Sequence, residues 1–357
     1  MDHLKTFFLA FFLSFLLSFF SIFLTRSVFI KLGFYRERKS RGEKDLHKNE
    51  KVPQTGGVNL LLSLLASLAF LEIDRSLILF FAGGIFLVLF GMIDLKKELS
   101  SGFQFVIFLI SGVFLVSAGF GIDFLRNPFG DLISLKILEI PILEISGITY
   151  HITLPADILT IIWNFILINA INFADGADGI VGSISASASI ILILVSTKFE
   201  QIENIILGIS LLGSILGFLI FNSYPSSIML GGSGSFLIGY FFAGLSLLSG
   251  GKLVTALTVL LLPTVDAFYV ILKRLLERRK PWVGGADHLH HRLLKLGVSV
   301  WKIDIFYGII TFLIGIPTIF FETYGKFFSI IFIVAFLLIF ELFVDLKLNK
   351  KKIQNLL

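Results

Sequence analysis

The segment NFADGADGI (172–180) places two carboxylates, Asp175 and Asp178, three residues apart, each followed by a glycine. If the segment stays helical, this spacing puts both acids on one side of the helix. Hard oxygen ligands of this kind suit Mg²⁺, or Mn²⁺, especially when phosphate oxygens complete the coordination shell. A polar loop with turn glycines is the simpler alternative. The apolar runs on both sides favour a site, because polar groups at membrane depth are costly and usually functional.

A second polar cluster, DHLHHRLLKLG (287–297), combines three histidines with Asp287 and Arg292 and follows a strongly basic stretch. Neutral imidazoles could bind a transition metal. The chain has no cysteine and many cations nearby, which favours histidines and arginines that grip a pyrophosphate. A basic loop attracted to anionic lipid would explain the Lys and Arg residues, but not three histidines within four positions.

Four other features carry weaker signals. The segment 36–51 is interpreted mainly as a solvated charge run, in which Lys48 could meet a phosphate. LGGSGS (230–235) could expose amides to a phosphate, although most Gly-Ser loops are ordinary loops. Asp94 ends an apolar run and could simply cap a helix or pair with Lys96 or Lys97. Asp266 is an intramembrane acid, which by default marks a site or a polar pairing between helices.

The elements that must position these residues are membrane helices. Hydrophobic residues make up 56% of the 357 positions and charged residues only 15%, against about a quarter in soluble proteins. The absence of cysteine excludes a disulfide framework. The sequence predicts an all-α polytopic membrane protein of about eleven transmembrane helices, with its first run a span and not a signal peptide. Alternation with Pro and Gly punctuation predicts a small extracytoplasmic β-hairpin near 131–155. The predicted apolar runs are 4–30, 57–71, 76–93, 103–120, 156–171, 180–196, 204–221, 236–249, 253–272, 304–321 and 326–344.

The distribution of Lys and Arg predicts the orientation. One set of loops and the C-terminal tail hold 22 of the 30 Lys and Arg residues, and the basic side should be cytoplasmic. The N-terminus then lies outside and the C-terminus in the cytoplasm. The net charge of +5 is therefore attributed to topology and not to nucleic-acid binding. The whole chain, 1–357, is predicted to be one membrane domain, and no repeat suggests a transporter. The cytoplasmic site loops are 31–56, 94–102, 172–179, 222–235 and 273–303.

In their order from His47 to Gly297, these motifs resemble those of the polyprenyl-phosphate N-acetylhexosamine-1-phosphate transferases. The family includes undecaprenyl-phosphate GlcNAc-1-phosphate transferases and the phospho-MurNAc-pentapeptide translocase. Its N-x-x-N-x-x-D-G-x-D-G motif is matched from Asn169 to Gly179, and the form of the histidine motif favours the GlcNAc-1-phosphate branch. The other similar segments are HKNEKVPQTGG (47–57), FNSYPSSIMLGGSGS (221–235), Pro263 to Asp266 and ADHLHHRLL (286–294).

The resemblance implies transfer of a HexNAc-1-phosphate, with GlcNAc-1-phosphate favoured, from a UDP-sugar to undecaprenyl phosphate. UMP leaves, and the lipid-linked product serves the synthesis of cell-envelope polysaccharides such as lipopolysaccharide or teichoic acid. The implied partners are the UDP-N-acetylhexosamine, the polyprenyl phosphate, the bilayer of the cytoplasmic membrane and Mg²⁺, and a homodimer is compatible with the family. The implied catalytic and metal-binding residues are Asp94, Asp175 and Asp178. The implied substrate-binding residues are Lys48, Asn169, Asn172, Asn222, His288, His290, His291 and Arg292.

The chain departs from the family pattern at two acidic positions. Leu95 stands where the family has the second of two adjacent aspartates, and Gly232 stands where it has the aspartate of M-G-D. These losses support an alternative hypothesis, a catalytically degenerate relative that binds nucleotide or lipid as a regulatory membrane protein.

Overall fold

Each predicted apolar run contains at least one helix in the computed structural model, which describes residues 2–37, 50–127, 130–145, 148–248, 253–280 and 285–354. The helices are α1 Asp2–Lys31, α2 Gly56–Leu65, α3 Arg75–Lys97, α4 Ser101–Ser117, α5 Ala156–Ala174, α6 Ile180–Lys198, α7 Ile202–Asn222, α8 Gly231–Leu247, α9 Leu253–Val259, α10 Leu261–Leu276, α11 Leu289–Lys295, α12 Val300–Gly315, α13 Pro317–Phe320 and α14 Thr323–Gln354. A 3-10 turn, Ala66–Phe70, continues α2.

The lengths of the helices support a polytopic membrane protein but not the full count of spans. Seven helices in the described part of the chain are long and apolar enough to cross a membrane. Helices α9 and α10 would form an eighth span, bent by 70°. The other apolar runs, 56–70, 101–117 and 231–247, are shorter than the roughly 20 residues that a straight span needs. Crossing by all eleven runs and the orientation therefore stay predictions.

Helix α8 lies at the centre of the bundle, and its residues from Ser233 to Leu247 are all buried. It packs against α2, α3 and α5. Tyr240, which is fully buried, donates a hydrogen bond to the carbonyl oxygen of Phe80 at 3.0 Å. The outer helices α1 and α14 expose rows of Phe, Leu and Ile side chains, as expected where the neighbouring phase is lipid. The N-terminus of α8, where LGGSGS lies, is thereby fixed against three other helices.

The predicted hairpin is present in the structure. Strand β5 (Lys136–Ile145) pairs antiparallel with β6 (Ile148–Pro155), and the tip at 146–147 lies outside the described residues. The register shifts between Pro141 and Leu143, since proline has no N–H to donate to the ladder. Two short pairs complete the strands: β1 (Tyr35–Glu37) with β2 (Lys51–Pro53), and β3 (Phe124–Arg126) with β4 (Leu132–Ser134).

Candidate active site

The two acids of NFADGADGI lie in a loop between helices and not on a continuous helix. Helix α5 ends at Ala174 and α6 begins at Ile180, so residues 175–179, here called the acidic loop, form turns. Gly179 is the N-cap of α6 and has a left-handed backbone with φ of 83°, which glycine adopts without steric cost. The helical spacing considered from the sequence therefore does not explain how the acids meet. They still lie close enough for their charges to interact.

Asp175 is electrostatically perturbed. The pKa of its carboxyl is raised to about 6, chiefly by burial; the guanidinium of Arg36 opposes this rise, and the charge of Asp178 adds to it. Arg36, in β1, belongs to the stretch that the sequence presented as a solvated charge run. Its side chain is exposed, but its charge acts on the acidic loop. The available signal was its position directly after the first span, on the same face as the acids.

Glycines bring the PQTGG and LGGSGS segments into close contact. A Cβ added at Gly56 would lie 2.6 Å from the Cα of Leu230, and one added at Gly57 would lie 2.5 Å from the Oγ of Ser233. A Cβ at Gly91, one turn before Asp94, would overlap the backbone of Ser233. These glycines therefore let α2 and α3 approach the start of α8 closely.

Hydrogen bonds of residues on α5 and α7 connect the start of α8 with the acidic loop. Ser235 donates a hydrogen bond to the Oδ1 of Asn172 at 3.1 Å. Asn222 accepts from the N–H of Gly179 at 3.3 Å and donates to the carbonyl oxygen of Ile228 at 3.0 Å. The N–H of Ser226 donates to the Oδ2 of Asp178 at 3.2 Å. Asn222 thus links the acidic loop to the segment that precedes α8.

The histidine motif also lies against the acidic loop. A Cβ added at Gly176 would overlap the Nε2 of His290, whose side chain is 1% exposed. Neither ring nitrogen of His290 has a hydrogen-bond partner among the described residues. Burial, followed by the neighbouring His291, His288 and Arg292, lowers the pKa of His290 well below 6.5. It is therefore a neutral imidazole whose nitrogens are available to a ligand.

His288 is held in place by Asp266. Its Nδ1 lies 3.0 Å from the Oδ2 of Asp266, and its ring stacks on Phe173 with centroids 5.5 Å apart. The N–H of Leu289, the first residue of α11, donates to the Oδ1 of Asp266 at 2.8 Å. Asp266 is thus a polar pairing group at the start of α11, one of the two roles that the sequence allowed. It fixes the histidines in place from α10.

Arg292 lies among three carboxylates, a group here called the arginine cluster. Its guanidinium is 3.3 Å from Asp266, 3.1 Å from Asp345 and in direct contact with Glu341. The side chain is 2% exposed. The cluster joins α11 to α10 and α14, and the predicted contact of Arg292 with a diphosphate stays a prediction. Glu341 and Asp345 lie beyond the motifs singled out from the sequence.

The remaining predicted residues are more peripheral. Asp94 accepts from the N–H of Leu99 at 2.9 Å and from Gln104 at 3.1 Å. Asn169 donates to the carbonyl oxygen of Phe165, four residues earlier, at 2.8 Å. Lys48 lies outside the described residues. In the described part of the chain, no group of three or more His, Cys, Asp or Glu side chains is arranged to enclose a metal ion.

Comparisons with known proteins point to one family. The sequence model described as "Glycosyl transferase family 4" matches residues 77–250. A Bacillus subtilis (strain 168) protein named as a probable undecaprenyl-phosphate N-acetylglucosaminyl 1-phosphate transferase is 27% identical over 327 residues, covering 89% of this chain and 85% of the relative. A phospho-N-acetylmuramoyl-pentapeptide-transferase of Halalkalibacterium halodurans is 24% identical, with 82% and 90% covered. A decaprenyl-phosphate N-acetylglucosaminephosphotransferase of Mycobacterium leprae is 26% identical, with 76% and 74% covered.

Proposed function

We propose that the chain, which matches the model of glycosyl transferase family 4 over residues 77–250 and resembles named polyprenyl-phosphate phosphosugar transferases over most of its length, transfers a HexNAc-1-phosphate from a UDP-sugar to a polyprenyl phosphate. GlcNAc-1-phosphate and undecaprenyl phosphate are the favoured substrates, as the name of the Bacillus subtilis relative suggests. An oxygen of the lipid phosphate attacks the β-phosphorus of the donor, the bond to the α-phosphate oxygen breaks, and UMP leaves. The product is a lipid-linked sugar diphosphate that stays in the membrane.

One observation carries this proposal: the acidic loop is the point at which the polar clusters meet. His290 lies against Gly176, Asn222 against Gly179 and Ser226 against Asp178. Residues separated by more than a hundred positions thus surround two carboxylates at the end of a predicted span. This arrangement suits a reaction in which a soluble donor and a lipid acceptor must meet at the membrane boundary.

The acidic loop fits a hard divalent cation. Mg²⁺ commonly uses one or two protein carboxylates and completes its shell with water and substrate phosphates, so Asp175 and Asp178 would be sufficient as protein ligands. Asp94, the third candidate, would first have to release Gln104. When bound, such an ion would neutralise the charge of the two phosphate compounds. Mn²⁺ is the alternative ion.

The residues of the chain itself would bind and orient the substrates. Neutral His290 can donate one hydrogen bond and accept another at the diphosphate or sugar. His288 and His291 flank it, with the ring of His291 centred 4.1 Å from that of His290. Asn169 and Asn172 lie on the last turns of α5, directly before the acids. We assign Lys48 to a substrate phosphate and Arg292 to the support of the diphosphate-binding histidines.

The test is the release of UMP from UDP-GlcNAc by membranes that contain the protein, with undecaprenyl phosphate and Mg²⁺ added. We expect release that depends on the lipid phosphate and stops when the divalent cation is chelated. Asp178→Asn should lower it by about 10²–10³-fold, whereas the matched variant Asp157→Asn, at the other end of α5, should leave it unchanged. Absence of UMP release from several UDP-sugars by a folded preparation would contradict the proposal.

The two missing acids favour a second candidate function, nucleotide or lipid binding without catalysis. Gly232 is the second residue of α8, and a Cβ there would lie 3.2 Å from the ring of Phe236. An aspartate at this helix N-terminus is electrostatically favourable and needs only a small movement of that ring. If the chain is degenerate, the double variant Leu95→Asp, Gly232→Asp should release UMP where the unaltered chain does not. Release by the unaltered chain would exclude this alternative.

A further inference from the structure

A buried carboxylate on α12 lies directly against the acidic loop. Asp304, in the second turn of this helix, is 9% exposed, and a Cβ added at Gly179 would overlap its Oδ2. It is also close enough to Asp178 for the two charges to interact. The family match ends at residue 250, and the motifs of the resemblance end at Gly297, so neither assigns Asp304 a role.

The packing of α12 on α6 fixes this carboxylate in position. A Cβ added at Gly308 would lie 3.2 Å from the Cβ of Ser183, so the two helices are in close contact one turn beyond Asp304. Ser187 donates a hydrogen bond to the carbonyl oxygen of Gly308 at 2.9 Å. Ser183 also donates to the Asp304 carboxylate. Asp304 is therefore held at the N-terminal end of α6, where the acidic loop ends.

The carboxylate is only partly satisfied. The Oδ1 of Asp304 is buried and has no hydrogen-bond partner among the described residues. Such an atom is costly in a protein interior and needs a specific explanation. The ring nitrogens of His290 are unpaired in the same way, against Gly176 at the other end of the same loop. Two unpaired, buried groups on different helices thus flank one acidic loop, which indicates a site completed by a ligand.

We propose that Asp304 is a positioning residue of the cation and phosphate site. It fixes the turn at Asp178 and Gly179 from α12, and it supplies a third negative charge beside Asp175 and Asp178. This inference rests on the proposed function, because the cation is the one that the transfer reaction requires.

The proposal has a consequence that a purely structural role lacks. Asp178 interacts with both Asp175 and Asp304. These like charges repel one another in the absence of a cation, and the same charges attract a divalent cation when it is present. Removal of the Asp304 charge should therefore weaken cation binding without loss of stability in the cation-free protein. If Asp304 only packed the helices, its removal would lower the stability of the protein and leave the cation dependence of the reaction unchanged.

The experiment compares Asp304→Asn with the unaltered chain and with Asp157→Asn. Asp157 is a carboxylate at the far end of α5 that accepts from the N–H of Thr153 at 2.7 Å. Binding of Mn²⁺ to the purified full-length protein is measured by electron paramagnetic resonance, and UMP release is measured as a function of Mg²⁺ concentration. For Asp304→Asn we expect both midpoints to rise about 10-fold or more, with the KM for the UDP-sugar little changed. Asp157→Asn should leave both midpoints where they were.

The outcomes separate this inference from the proposed function. Unchanged midpoints in Asp304→Asn, or a lower melting temperature with unchanged midpoints, would overturn the role of Asp304. If the unaltered chain releases no UMP, the proposed function fails, and the Mn²⁺ midpoint still tests Asp304. If Asp304→Asn does not fold, the pair Asp304→Glu and Asp304→Gln replaces it, since the two differ in charge and hardly in size. Equal midpoints in that pair would also overturn the proposal.

Discussion

The arginine cluster and the acidic loop lie on two sides of the same histidine motif, and their polar groups are satisfied to different degrees. In the cluster, the two terminal nitrogens of Arg292 meet Asp266, Glu341 and Asp345, and Lys273 adds a contact to Asp345 at 2.5 Å, so that only the Nε of Arg292 lacks a partner among the described residues of the cluster. At the acidic loop, Asp304 and His290 have buried polar atoms without partners in the described part of the chain.

The difference indicates a division of roles. Burial of a charge is costly unless partners compensate it, so a cluster with mutual partners can act as a permanent joint between helices. Groups that remain unpaired have their partners elsewhere, in water, a cation or a substrate. The histidine motif spans both regions: Arg292 fixes α11 from one side, and His290 faces the acidic loop on the other. Substitutions in the cluster should therefore affect stability first, and substitutions at the loop should affect activity first.

The largest effect is expected from Arg292→Ala. Removal of the guanidinium leaves up to three carboxylates close together without their shared cation. Loss of one partner from a buried ion pair costs about 3–5 kcal/mol, and the free energy of unfolding should fall by about that amount. Denaturant titration of the purified protein in detergent micelles measures it.

Arg279→Ala is the matched control for this prediction. Arg279 also pairs with a carboxylate, Asp287, at 2.7 Å, but its side chain is 50% exposed. Exposed ion pairs contribute about 0–1 kcal/mol, so this variant should unfold nearly as the unaltered chain does. Similar losses in the two variants would show that the arginine cluster is no more important to stability than a surface pair.

Asp178→Asn should have the converse effect. The substitution keeps the size of the side chain and removes a charge that the proposed reaction requires. Loss of one such electrostatic group lowers turnover by about 10²–10³-fold, while the melting temperature should change little. UMP release and thermal unfolding of the same preparation measure both quantities. A variant that retains its activity and unfolds at a lower temperature would place Asp178 with the structural groups.

The sequence identified more of the functional residues at the acidic loop than at the arginine cluster. Asp175, Asp178 and the histidines were found because acids, glycines and imidazoles interrupt apolar runs. Glu341 also lies within a predicted apolar run, and an intramembrane acid indicates a polar partner. Its partner, Arg292, was assigned to the diphosphate because only tertiary packing brings α14 against α11.

Asp304 and the bend between α9 and α10 were missed for related reasons. Asp304 stands at the first position of a predicted apolar run, where an acid is ordinary. Its proposed role follows from its contact with Gly179, which the sequence does not show. The two helices on either side of the 70° bend are together as apolar as a straight span, so composition does not reveal the bend. Composition and spacing thus predicted the helices, the hairpin and the polar clusters, but not which charges pair.

A smaller effect is expected from Gly179→Ala compared with Gly119→Ala. Both glycines have a left-handed backbone, with φ of 83° and 80°, so both variants share a strain of about 1–2 kcal/mol. Nothing lies within 4 Å of a Cβ at Gly119, whereas one at Gly179 would overlap Asp304. Displacement of the loop by about 1 Å can cost about 10²-fold in rate. UMP release should therefore fall in Gly179→Ala alone, and equal activities would show that the contact with Asp304 is not needed.

The smallest effect is a difference in pH dependence between the two regions, measured without divalent cation. Burial raises the pKa of Asp175 from 3.8 to about 6, so the folded state favours its protonated form. The stabilisation from this group is complete below pH 3.8 and is lost as the pH rises through about 6.

Asp287, which follows α10, should show the opposite sign. Burial alone would raise its pKa, but hydrogen bonds from Arg279 and Arg274 hold it below 3.8. Its stabilisation is present above pH 3.8 and is lost as the pH falls further. The melting temperature is measured between pH 3 and pH 7. In Asp175→Asn it should no longer fall as the pH rises towards 6, and in Asp287→Asn it should no longer fall at acid pH. An undiminished decline towards pH 6 in Asp175→Asn would show that ionisation of the buried Asp175 carboxylate does not destabilise the cation-free protein. The acidic loop would then not differ from the arginine cluster in the way that the comparison requires.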